Sequence, residues 1–169
     1  MDLTRRIGAA MFSDTHIKQA TAILNSYRHK GLKLATAESC TGGLISALLT
    51  EITGLSVVCD CGFVTYSDES KIQFLGVDQK LIEQHGAVSE QVASAMAQGA
   101  ITRTGADVSV AVTGIAGPTG GTKDKPVGLV YIAVAKKNKI TCEKNIFSGN
   151  REDVRLQSVG KALEMLSDI

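Results

Sequence analysis

The sequence predicts an α/β fold: a three-layer α/β/α sandwich around a mixed, mostly parallel central sheet. Three observations predict it. Stripes of apolar residues at helical spacing alternate with short apolar runs through the first two thirds of the chain. Val108-Ser109-Val110-Ala111-Val112 carries no charge at all, the mark of a strand covered on both faces. Finally, the uncharged run 127–135 and the alternating run 140–147 are joined by the polar turn Lys136-Lys137-Asn138-Lys139, a hairpin that makes the sheet mixed.

The elements follow in order. Ser13 or Asp14 caps a first helix with Ile17, Ala20, Ile23, Leu24 and Tyr27 on one face, and Gly31 ends it. A strand over 33–37 leads through Glu38-Ser39-Cys40-Thr41-Gly42-Gly43 into a helix striped by Leu44, Ile45, Leu48, Leu49 and Ile52, which runs to about Thr53 and stops at Gly54. A second strand, rich in Val, Phe, Thr and Tyr, is expected over 57–66. A short helix over 67–76 turns on Ile72, Phe74 and Leu75, and Asp78 opens another that Gly86 closes. Ser89 caps an Ala-rich helix carrying Val92, Met96, Ala100 and Ile101, which stops at Gly105. After the central strand comes a glycine-rich turn, then the hairpin, whose second strand places Ile140, Cys142 and Ile146 between polar residues as a sheet edge would. Asn150 and Asp153 cap a last helix with Leu156, Val159, Leu163 and Leu166 inside.

At 169 residues and 44% hydrophobic content, one domain over 1–169 is expected, with residues 1–15 as an N-terminal extension. A formal net charge of +1 offers no basic face for nucleic acid or an anionic membrane, so the expected partner is a small molecule. Arg5 and Arg6 precede an apolar stretch, 7–12, too short for a signal-peptide core or a bilayer span; a soluble, cytoplasmic protein is expected. Cys59 and Cys61, two apart on a strand, should share a face, and all four cysteines should be reduced. No zinc spacing appears, so neither a metal nor another cofactor is expected.

Ligands of open α/β sheets sit beyond the carboxyl ends of strands, and Ser39, Tyr66, Thr113 and the loop 114–121 all fall there. Ser39 stands on a strand-to-helix turn beside free helix N–H groups: it is either a nucleophile with an oxyanion hole or a helix cap. His16, His29 and His85 all lie on helices away from the glycine loops, so none suits as its base. Lys71 follows Tyr66 by five residues and can face the same rim, although spacing alone favours a solvated lysine and an interfacial aromatic. The loop from Thr113 and Gly114 through Gly117, Gly120 and Gly121 is either an anion cradle or a tight turn. Arg151 and Arg155 are either a phosphate clamp or exposed helix arginines.

Together these segments resemble the CinA C-terminal-domain family, which includes stand-alone nicotinamide-nucleotide amidohydrolases. The resemblance is carried by Ala37-Glu38-Ser39-Cys40-Thr41-Gly42-Gly43, Gly62-Phe63-Val64-Thr65-Tyr66-Ser67 with Lys71, and His85-Gly86-Ala87-Val88-Ser89-Glu90. Thr113-Gly114-Ile115-Ala116-Gly117-Pro118 with Gly120-Gly121-Thr122, and Lys125-Pro126-Val127-Gly128-Leu129-Val130-Tyr131, complete it over residues 16–167. It implies deamidation of nicotinamide mononucleotide to the nicotinic acid mononucleotide and ammonia, with Ser39, Lys71 and Tyr66 as the functional positions, and so reverses the reading from spacing. Substrate contacts are implied for Cys40, Thr41, Gly42, Gly43, Thr113, Gly114, Gly117, Gly120, Gly121 and an arginine of the last helix, taken as Arg151 rather than Arg155. Thr119 and Lys123 depart from the small residue and proline common there. Larger relatives carry an N-terminal domain resembling molybdopterin-binding proteins, whose activity is not expected of this chain. A homo-oligomer is expected, with the edge strand 140–147 as one surface for it.

Overall fold

The computed structural model describes residues 11–54, 56–137 and 139–169, so most of the expected N-terminal extension, with Arg5 and Arg6, and Asn138 of the hairpin turn lie outside the described residues. The order is α1 (Asp14–His29), β1 (Leu34–Glu38), α2 (Leu44–Glu51), β2 (Cys59–Val64), α3 (Asp68–Leu75), α4 (Gln79–His85), α5 (Glu90–Thr104), β3 (Val108–Gly114), β4 (Leu129–Lys136), β5 (Lys139–Ile146) and α6 (Arg151–Ser167). The sheet runs β2-β1-β3-β4-β5. β1 pairs in parallel with β2 and β3, and only β4 runs the other way, antiparallel to both of its neighbours.

Alternation along the strands builds two unlike faces. Leu34, Val108, Val110, Val112, Val130, Ile132 and Val134 form one core with α1, α2 and α6. Ala35, Ala37, Ala111, Ala133 and Ala135 form the other with α3, α4 and α5. Small side chains on the second face let α5 settle close: Ser109 Oγ donates to Ala97 O at 2.7 Å from β3. Both faces of β1 and β3 are buried, as the uncharged run of β3 requires.

Caps fall where side-chain chemistry puts them. Ser13, Ser67, Asp78 and Ser89 each accept a backbone N–H at a helix start, and Asn150 with Asp153 forms a full capping box on α6. Gly76 and Gly105 close α3 and α5 in the left-handed conformation.

Several expected details change. β2 is shorter than 57–66, and its register slips between Leu34 and Ala35, pairing Cys59 with Leu34 but Cys61 with Ala35. A bulge therefore sends the two cysteines to positions of opposite face; Cys59 is half-buried and Cys61 exposed. α2 ends at Glu51, two residues before Thr53. Phe74, and Ile140 and Ile146 on the edge strand β5, are exposed, and Leu156 is only partly buried. No helix among the described residues is long and apolar enough to cross a membrane.

Candidate active site

β1, β2 and β3 end on one side of the sheet, so the turns that follow them meet there. Between them lies a cavity of about 330 Å³ lined by Ser39 and Cys40 after β1, Tyr66, Asp68 and Lys71 after β2, Thr113 to Gly117 with Thr119 and Gly120 after β3, Ala87 and Val88 before α5, and Arg151 of α6.

The turn after β1 is organised by Glu38, a fully buried carboxylate. It accepts the N–H of Gly43 (3.1 Å), Ile45 (3.1 Å) and Ser46 (2.8 Å) and the Ser46 hydroxyl (2.8 Å). Because Glu38, not Ser39, takes the free donors of α2, the serine is not the helix cap. Ser39 is held by its N–H on Val112 O and by Gly42 N–H on its own carbonyl, both at 3.0 Å. Sequence reasoning did not assign Glu38; its signal was a lone charge ending an otherwise uncharged buried strand.

Lys71, in the first turn of α3, folds back under its own helix and is 1% exposed. Its Nζ lies 3.3 Å from Ser39 Oγ, 3.0 Å from Thr65 O, 3.3 Å from Tyr66 O and 3.4 Å from Ser67 O. Burial pushes the amine below the usual lysine range; Asp68, 4.0 Å away, and Glu69 pull it back up. As an ammonium Nζ donates to Ser39 Oγ and to these carbonyls; a neutral amine keeps two N–H groups for carbonyls and has one lone pair. Burial also pushes the Cys40 thiol up to about 11, with Arg155, Arg151 and a backbone N–H acting against it, so this sulfur stays protonated and unreactive near neutrality.

Tyr66 reaches Lys71 through its carbonyl, while its phenol accepts Arg151 Nη2 at 3.0 Å. Arg151 Nη1 donates to Gly117 O at 2.8 Å. Arg155 instead donates Nη2 to Thr41 O at 2.7 Å, behind the serine turn and outside the cavity lining. Thr113 is buried, its hydroxyl donating to Ala87 O at 2.9 Å.

The cavity thus gathers Ser39, Cys40, Tyr66, Lys71, Thr113, Gly114, Gly117, Gly120 and Arg151 of the expected site residues. It leaves Thr41, Gly42, Gly43 and Gly121 outside its lining, and none of the three histidines reaches it. Gly43 gives its N–H to Glu38, and Gly121 packs on Val127. Asp68 lines it without having been named, and so do Ala87, Val88, Ile115 and Ala116, read only as parts of family motifs, and Thr119, read as a departure from them.

The chain matches the family model described as the CinA C-terminal domain over residues 16–169. A CinA-like protein from Geobacter sp. (strain M21) is 46% identical over 165 residues, covering 98% of this chain and 40% of the relative. Another, from Geobacter sulfurreducens, is 44% identical over 161 residues, covering 95% and 39%. The chain therefore spans about two fifths of the length of these curated relatives. Among solved structures, the competence/damage inducible protein CihA from Agrobacterium tumefaciens superposes with a TM-score of 0.92 at 44% identity, covering 95% of this chain and 98% of that one. A competence-damaged protein (CinA) superfamily protein from Escherichia coli superposes with a TM-score of 0.87 at 37% identity, covering 99% and 98%. With matched residues running from α1 through α6, and the sheet and helices superposing throughout, the chain belongs to the CinA C-terminal-domain family.

Proposed function

We propose that the protein is an amidohydrolase that converts nicotinamide mononucleotide and water to nicotinic acid mononucleotide and ammonia. One observation carries the reading: the buried amine of Lys71 stands 3.3 Å from the Ser39 hydroxyl at the wall of a cavity. A serine needs such a base to act near neutrality.

Neutral Lys71 takes the Ser39 proton as Oγ bonds to the carboxamide carbon. The developing oxyanion falls to the N–H of Cys40 at the cavity wall, since Gly42 and Gly43 donate elsewhere; one such donor is worth about 3–4 kcal/mol. As the C–N bond breaks, Lys71 returns the proton to the leaving nitrogen, which departs as ammonia. Water then adds to the acyl-enzyme, giving its proton to Lys71, and as the C–Oγ bond breaks Lys71 returns that proton to Oγ, which frees the acid and restores the Ser39 hydroxyl and the neutral amine. Tyr66 orders this end of the cavity through its carbonyl on Lys71 and its phenol on Arg151. Arg151 and the glycine loop meet the 5′-phosphate.

The test is incubation with nicotinamide mononucleotide, with ammonia and the acid product followed together. Both should appear in equal amounts, and nicotinamide riboside should be a much poorer substrate. Absence of the acid product, or equal turnover of the riboside, would overturn the reaction or the phosphate site respectively.

A further inference from the structure

The cavity beside Ser39 is electrically asymmetric. Asp68 is the one carboxylate among the described residues that line it, and Arg151 stands on the wall made with Gly117 and Tyr66. Asp68 Oδ1 lies 4.0 Å from Lys71 Nζ, the same atom that stands 3.3 Å from Ser39 Oγ. One amine thus stands next to both the carboxylate and the serine hydroxyl. The structural duties of the carboxylate are light. Ser67, not Asp68, caps α3, and Lys71 has three carbonyls as acceptors without it. Half exposed, at 52%, the side chain forms part of the cavity lining.

We propose that Asp68 determines specificity for charge: it selects amides borne on a cationic ring over neutral ring amides of the same shape. The inference rests on the deamidase reading, in which the carboxamide sits on a pyridinium. With the amide carbon at Ser39 Oγ, the ring's positive nitrogen falls on the Asp68 side and the phosphate on the Arg151 side. The cationic ring and the phosphate that the ribose joins to it then meet charges of opposite sign, an arrangement that sets orientation as well as preference.

The experiment compares kcat/KM for nicotinamide mononucleotide and for its uncharged isostere, in which carbon replaces the ring nitrogen, in wild type, Asp68→Asn and Asp68→Glu. The two amides differ in intrinsic reactivity, but equally for every variant, so the change in their ratio reads Asp68. Asp68→Asn should lower the ratio about fivefold, as loss of a half-exposed ion pair does. Because Asp68 also acts on the base Lys71, turnover of both amides changes together in Asp68→Asn and only their ratio reads charge selection, whereas Asp68→Glu should keep the wild-type ratio. An unchanged ratio in Asp68→Asn would overturn this assignment and leave the deamidase reading standing; wild type releasing ammonia from neither compound would overturn both.

Discussion

Arg151 joins Tyr66 to Gly117 across the mouth of the cavity, with one nitrogen of its guanidinium 3.0 Å from the phenol oxygen and the other 2.8 Å from the glycine carbonyl. The planar fork makes both contacts at once and leaves further N–H donors for an anion. Its neighbour one turn on, Arg155, spends itself on Thr41 O. Two arginines that look alike in sequence therefore have different partners, one at the cavity wall and one on the carbonyl of the serine turn.

If Arg151 meets the phosphate, Arg151→Met should lower kcat/KM for the mononucleotide about tenfold to a hundredfold, the range of one or two charged hydrogen bonds. Turnover of the riboside should barely move. Parallel losses on both substrates would assign Arg151 to holding Tyr66 instead.

Ser39→Ala should remove ammonia release by at least about a thousandfold while circular dichroism stays that of wild type, because the hydroxyl serves the chemistry and not the helix cap. Activity surviving in that variant would exclude an acyl-enzyme.

Lys71 gives two pH signatures. Activity should rise with pH as its ammonium loses a proton, with an apparent pKa below the ~10.4 of a free lysine. Activity that fails to rise with pH anywhere below the free-lysine value would argue against Lys71 as the base. Burial lowers the folded-state value below the unfolded one, so between the two the unfolded chain binds more protons and stability rises with pH. The Tm of wild type relative to Lys71→Met should accordingly increase as pH is raised towards 10.

Glu38→Gln replaces an acceptor of four donors by a group whose amide end repels two of them. A loss of about 1–3 kcal/mol in chemical denaturation is expected, together with a fall in kcat. Gly62→Ala reaches the same network from the other side, since its Cβ would stand 2.6 Å from Ser46 Oγ and 3.0 Å from Thr36 Oγ1. It should reproduce part of both effects; wild-type kcat in both variants would detach this network from catalysis.

Gly99→Ala tests the close seat of α5. The added Cβ would collide with Leu75 O at the end of α3, and overpacking of this kind costs about 1–3 kcal/mol. Unaltered stability would show that α3 can move aside freely.

Much of the architecture was legible in the chain. Helices and their caps follow from Ser, Asp, Asn and Gly at fixed offsets, because these residues meet backbone groups of their own neighbourhood. The uncharged strands and the polar hairpin turn set the sheet's mixed character. The bulge in β2 escaped, since register is a relation between two strands and leaves little trace in either one alone. Exposed Ile146 escaped for a similar reason: alternation marks an apolar position but not what covers it.

The site divides along the same line. Sequence supplied the residue types and, through the family's motifs, Ser39, Tyr66 and Lys71 as a set. Spacing alone made Lys71 an ordinary surface lysine, and only the fold buries it against Ser39, 32 residues away in the chain. Likewise only the fold gives the α2 donors to Glu38, and sends Arg151 to the cavity and Arg155 behind it. Local chemistry is written in consecutive residues, whereas desolvation and the choice among partners depend on which distant segments the sheet brings within a few ångströms.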